Sequence, residues 1–162
     1  MKKFIFQVAI ILAISIVAGL AFNHFRADSL PLFKEYQPVP PSGVAPDEDL
    51  SSYYKEMDMD TLKALMESNM IILLDARHSS LYKEGHLPNA ISLPIIEFNQ
   101  KYESVAPLLV KDKSLVLYCS GITCPDSSLL ARELSRKGFT DIYVFKGGFE
   151  EWKDQGNTIV TQ

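Results

Sequence analysis

The apolar run Leu115-Val116-Leu117-Tyr118, followed at once by Cys119, constrains this chain more than any other feature. Four consecutive apolar residues ahead of a loop read as a short strand buried on both faces. The pattern from Ser128 to Lys137 is helical, and Gly138 stops it. Asp126, Ser127 and Ser128 can each cap the start of that helix. The loop between strand and helix holds both cysteines of the protein, Cys119 and Cys124. In such a unit the loop N–H groups can point inward, and the helix N-terminus adds partial positive charge. Together they can lower a thiol pKa and hold an anion. Cys119 is thus a candidate nucleophile, and the alternative is a small buried hydrophobe.

The same alternation extends outward. Asp58 can cap a helix from Met59 to Glu67, with Leu62, Leu65 and Met66 on one face. Ile71-Ile72-Leu73-Leu74 is a second buried strand, ending at Asp75-Ala76-Arg77. A short helix from Ser79 to Glu84 stops at Gly85, and His86-Leu87-Pro88-Asn89 is a turn. Ala90 to Leu93 is a third short strand, and a helix runs from Pro94 to about Tyr102. Ile142 to Phe145 is a further strand, then Gly147-Gly148 turns into a final helix, Phe149 to Lys153, with Trp152 against the core. Short buried strands alternating with helices define an α/β fold with a mainly parallel sheet flanked by helices. Sites in such sheets form at the carboxyl ends of strands, where Cys119 and Asp75 both fall.

Two segments precede that domain. After Lys2-Lys3, the 19 residues from Phe4 to Phe22 carry no charge. As a helix they reach about 28 Å at ~1.5 Å per residue, enough to cross a bilayer core. The two lysines keep the N-terminus cytoplasmic, which places the rest on the extracytoplasmic side. The alternative is a cleaved signal peptide, with Gly19-Leu20-Ala21 near the cleavage register. The length of the run favours a retained anchor over residues 4–22. Residues 23–52 hold Pro31, Pro38, Pro40, Pro41 and Pro46, and read as an extended spacer. The expected organisation is therefore an anchor over 1–22, a linker over 23–52 and a folded domain over 53–162.

Composition excludes other classes. Net charge is −4 and no basic stripe exists, so a nucleic-acid partner is not expected. Two cysteines make neither a disulfide scaffold nor a four-ligand zinc site, and no metal is expected.

From about Tyr53 to Gly156 the chain resembles a single rhodanese domain. LLDARHSSLYKEGHLPNAISLP is similar to the family's segment of Asp-x-Arg, a spaced aromatic, Gly-His-x-Pro-x-Ala and a following Pro. LVLYC resembles the strand that delivers the catalytic cysteine, and the stretch from Ser127 to Trp152 resembles the helix, strand and Gly-Gly-x-x-x-Trp ending. The anchor, linker and two-cysteine loop together look like a membrane-attached bacterial branch. The resemblance implies a sulfurtransferase in which Cys119 forms a persulfide, takes sulfur from a small donor and passes it to a thiol or cyanide. It implies no cofactor. Ser120, Gly121, Ile122, Thr123 and Ser127 would orient the loop or bind substrate, while Asp75 and Arg77 would tie the strand end to neighbouring loops.

One departure matters. The family's loop has a basic residue five positions after the cysteine, and here that position is Cys124. No basic residue lies between Cys119 and Arg132, so weak use of thiosulfate is expected. Asp126 is expected to cap the helix, and Arg132 to point away. Cys124 is close enough to be a resolving thiol, provided the two α-carbons come within about 7 Å. A thiol reductant would then be a partner. The alternatives are a thiol–disulfide or sensing module using the same pair, and a non-catalytic binding domain.

Overall fold

The computed structural model describes residues 2–25 and 49–162, in two units that are taken separately. The linker prolines Pro31, Pro38, Pro40, Pro41 and Pro46 lie outside the described residues. The described residues of the first unit form one α-helix, α1 (Lys2–Phe25), which spans the whole uncharged run. Over the residues whose side chains are described, no helix is long and apolar enough to cross a membrane.

The second unit is built on five strands. They are β1 (Lys55–Met57), β2 (Ile71–Asp75), β3 (Ile91–Ser92), β4 (Ser114–Tyr118) and β5 (Ile142–Phe145). The sheet order is β1-β5-β4-β2-β3, and every neighbouring pair is parallel. The apolar runs of β2 and β4 divide between two cores. Ile72, Leu74, Leu115 and Leu117 join one, while Ile71, Leu73, Val116 and Tyr118 join the other. That is the two-residue period of a strand with both faces covered.

Five helices supply the cover: α2 (Met59–Glu67), α3 (Ser79–Glu84), α4 (Phe98–Val105), α5 (Asp126–Arg136) and α6 (Gly148–Asp154). Phe98 and Val105 of α4 and Leu129, Leu130 and Leu134 of α5 fill the first core. Met59 and Leu62 of α2, Tyr82 of α3 and Trp152 of α6 fill the second. Asp58 caps α2 by accepting the Thr61 N–H at 2.8 Å.

Several boundaries differ from the sequence expectations. β1 is absent from them, because only Met57 of Lys55–Met57 is buried and the segment has no apolar run. β3 is two residues long, and α4 begins at Phe98 after a 3-10 turn over Ile95–Glu97. α5 starts at Asp126, two residues earlier than Ser128, and runs directly from Pro125. β4 is flanked by β2 and β5, with Tyr118 level with Asp75 and with Phe145. The chain therefore leaves the centre of the sheet at Cys119, at the carboxyl edge.

Candidate functional site

The loop after β4 is fixed from α6 as well as from α5. The Cys119 carbonyl accepts the Phe149 N–H at 2.8 Å, and the Ser120 carbonyl accepts the Glu150 N–H at 2.8 Å. The Cys124 N–H closes a turn onto the Gly121 carbonyl at 3.0 Å. Among the described residues, the N–H groups of Ser120 to Thr123 donate to no backbone carbonyl. They remain available to an anion, as the N-terminus of α5 does.

Gly148 is required by this contact. Its φ is +63°, and an added Cβ would meet the Cys119 carbonyl oxygen and lie 2.9 Å from the Gly121 nitrogen. Both obstacles are backbone, so neither can turn aside. Gly148→Ala is expected to cost about 2–5 kcal/mol, combining left-handed strain with overpacking. For a domain near 100 residues this lowers Tm by roughly 10 °C or more. A thermal melt within 2–3 °C of wild type would contradict this account of the contact.

Cys119 and Cys124 are joined by a disulfide, with their α-carbons 6.2 Å apart. The two ends differ in access. Cys119 is 1% exposed, while Cys124 is half-buried and lines a cavity of about 360 Å³. Asp126 has a carboxylate oxygen within 4.8 Å of both sulfurs. Among the described residues these three form the group with metal-ligand spacing, and the disulfide occupies both sulfurs.

The expected cap is not made. Asp126 is the first residue of α5, and Pro125 occupies the cap position, which makes no side-chain bond to the N–H groups there. A carboxylate inside the first turn points along the helix surface, whereas capping needs the non-helical residue before it. Burial raises the Asp126 pKa above the usual carboxylate value. The sign follows from proton linkage: the folded protein holds this proton more tightly than the unfolded chain, so stability is lost as pH rises through the folded pKa. Asp126→Asn is therefore expected to raise Tm at neutral pH, with the gain vanishing below the unfolded carboxylate pKa. Melts across pH 3–8 check this, and a pH-independent difference would contradict it.

The other loop residues divide. Ile122 and Thr123 line the cavity with Cys124, and Ser120 lines a separate one beside Arg77 and Phe149. Gly121 faces the Glu150 carboxylate, and Ser127 is buried. Arg132 is also buried, and its guanidinium bonds Glu133 at 2.9 Å. Sequence reasoning missed Lys146, the residue just past β5. Its Nζ donates to Ser128 Oγ at 3.0 Å and lies 4.8 Å from the centre of the Tyr54 ring. The available signal was its place at the carboxyl end of the strand beside β4, where the sheet order brings it to α5.

Behind the loop lies a buried polar network. Arg77 Nη2 donates to Asp75 Oδ2 at 2.6 Å and to the Gly85 carbonyl at 2.7 Å. The Tyr118 hydroxyl donates to Asp75 Oδ2 at 2.7 Å and accepts the Leu87 N–H at 3.2 Å. Burial, with the Asp75 charge, pushes the Tyr118 pKa far up, so the hydroxyl stays a donor. Arg77 also sits 4.1 Å from the Phe149 ring centre, which links this network to α6. His86 is held in its turn, its Nδ1 2.8 Å from the Tyr82 carbonyl oxygen.

A parallel sheet covered on both faces, with a cysteine leaving its central strand into the loop before α5, defines an α/β domain whose candidate nucleophile lies at the carboxyl end of a strand. The rhodanese-like domain family matches residues 58–155, more than half of the chain, and the chain belongs to that family. It is 33% identical over 101 residues to a thiosulfate sulfurtransferase, GlpE, of Coxiella burnetii, spanning 62% of this chain and 88% of that one. It is 34% identical over 119 residues to a tRNA sulfurtransferase of Desulfurococcus amylolyticus, covering 74% of this chain but only 21% of that protein. Among solved structures, the BH2092 protein of Bacillus halodurans matches with a TM-score of 0.60 at 28% identity, over 69% of this chain and 80% of that one. These relatives support sulfur transfer as the general activity.

Proposed function

We propose that the protein is a membrane-anchored, extracytoplasmic sulfurtransferase that works through a persulfide on Cys119. The supporting observation is the position of Cys119, at the carboxyl end of the central strand, followed by a loop in which the N–H groups of Ser120 to Thr123 donate to no backbone carbonyl among the described residues, and then by α5. The Cys119 thiolate attacks the outer sulfur of a donor, whose remainder leaves with the electron pair, and an acceptor thiolate or cyanide then takes the sulfur. Persulfides and polysulfides suit this loop better than thiosulfate, because it carries neither Arg nor Lys. The Cys119–Cys124 disulfide is the resting oxidised form, closed when Cys124 attacks the Cys119 persulfide and expels sulfide.

Intact-protein mass after the reduced protein meets a polysulfide tests this. A one-sulfur adduct supports transfer. Loss of two hydrogens in the wild type, with no sulfur-loaded species even in Cys124→Ser, favours the second reading, a thiol–disulfide module, which the disulfide itself recommends.

The anchor rests on the uncharged run after Lys2-Lys3 and on the helix that spans it. Protease added to intact spheroplasts is expected to digest the domain. Resistance until the membrane is lysed would reverse the proposed orientation.

A further inference from the structure

The two cysteines of the disulfide differ in exposure. Cys119 is 1% exposed, whereas Cys124 forms part of the wall of the 360 Å³ cavity. Tyr54, Thr123, Ser128 and Lys146 line the same cavity. Lys146 uses one N–H on Ser128 and lies over Tyr54, which leaves donors for another group. Two carboxylates lie nearby: Asp49, in the lining, accepts the Ser51 N–H at 2.9 Å, and Asp126, outside the lining, has an oxygen within 4.8 Å of both sulfurs, so Lys146 is the group that offsets their charge toward an anion. A strand end, a helix start and the 3-10 turn over Leu50–Tyr53 thus converge on Cys124 with a lysine among them.

From this geometry we infer that the cavity is the docking site for the reductant, a small thiol bearing an anionic group, and that its sulfur attacks Cys124 rather than Cys119. The inference rests on the disulfide being the resting form of the proposed sulfurtransferase. The incoming thiolate forms a bond to Cys124 Sγ as the Cys119–Cys124 bond breaks, and the electron pair leaves on Cys119 as thiolate. A second thiolate attacks the docked sulfur, releases Cys124 as thiolate and departs in a disulfide with the first. Two thiols are oxidised by two electrons, and both cysteines are reduced. Cys119 is thereby regenerated as the thiolate that sulfur loading needs, in the loop beside the α5 N-terminus.

The test uses the purified full chain in its oxidised form, with 2-mercaptoethanesulfonate as the anionic probe and 2-mercaptoethanol as the neutral one. Brief exposure, acid quenching and peptide mapping are expected to place the mixed disulfide on Cys124. An adduct on Cys119 overturns the inference. The second measurement is the ratio of reduction rates for the two probes. In Lys146→Met, which keeps the apolar stem over Tyr54, the ratio of anionic to neutral rate is expected to fall about fivefold, the range of a solvent-screened ion pair. A thermal melt matching wild type shows that the variant is folded, and the neutral probe's rate then corrects for any change in access to Cys124, so a change in the ratio reports on the lysine charge. An unchanged ratio overturns the role of Lys146 and with it the docking site. Sulfur loading of the reduced protein is read separately: no loading together with a Cys124 adduct sinks the sulfurtransferase reading and leaves the docking site standing.

Discussion

Cys119→Ser is expected to eliminate the one-sulfur adduct completely, with Tm within a few degrees of the reduced wild type. The residue is buried and nearly isosteric with serine, so the loop's bonds to Phe149 and Glu150 survive the change. Cys124→Ser is expected to load sulfur and to hold it longer, because the thiol that resolves the persulfide is gone. The two variants therefore separate in opposite directions in one intact-mass experiment run after reduction. If Cys119→Ser still loads sulfur and Cys124→Ser does not, the roles are exchanged and the assignment of the nucleophile fails. If Cys124→Ser keeps the persulfide lifetime of the wild type, Cys124 takes no part in resolving it.

The largest effect on stability is expected at Arg77. Arg77→Met leaves the Asp75 carboxyl 0% exposed without its cation, with only the Tyr118 hydroxyl and the residue-77 N–H as partners. Removing one member of a buried ion pair costs about 3–5 kcal/mol, because the other charge keeps its desolvation penalty. A domain of this size is stabilised by roughly 5–15 kcal/mol in total, so a fall in Tm of about 15 °C or more is expected. The lost bond to the Gly85 carbonyl and the lost contact with Phe149 act in the same direction. Asp75→Leu combined with Arg77→Met is expected to recover part of the loss, because no unpaired charge is then buried. A single variant melting within 3 °C of wild type would show that water reaches Asp75.

How much of this was legible in the sequence depends on what each residue answers to. β2, β4 and β5 announced themselves because burial on both faces demands uninterrupted apolar runs. β1 gave no such signal: an edge strand with one buried side chain is specified by pairing to Tyr143–Phe145, which only the folded chain supplies. Cys119 was legible as a strand-end thiol. Asp126 was misjudged because a carboxylate beside a helix start suits capping equally well at two adjacent positions, and only the backbone of Pro125 decides which residue is helical. Lys146 went unnoticed because it is distant in sequence from Cys124. Parallel pairing of β4 with β5 carries it to the cysteine loop.

The bonds from Phe149 and Glu150 to the carbonyls of Cys119 and Ser120 have a consequence for how the protein is made. The cysteines emerge from the ribosome well before α6 does. Until Gly148–Asp154 has been synthesised and has docked, nothing holds those carbonyls, and the thiols belong to an unanchored loop. In the proposed topology, with the N-terminus held in the cytoplasm, a domain that crosses the membrane as it is made would present both cysteines to an oxidising compartment before their geometry is set. Correct pairing at that stage depends on the short five-residue separation of Cys119 and Cys124 alone, since the protein has no other cysteine with which either could mispair.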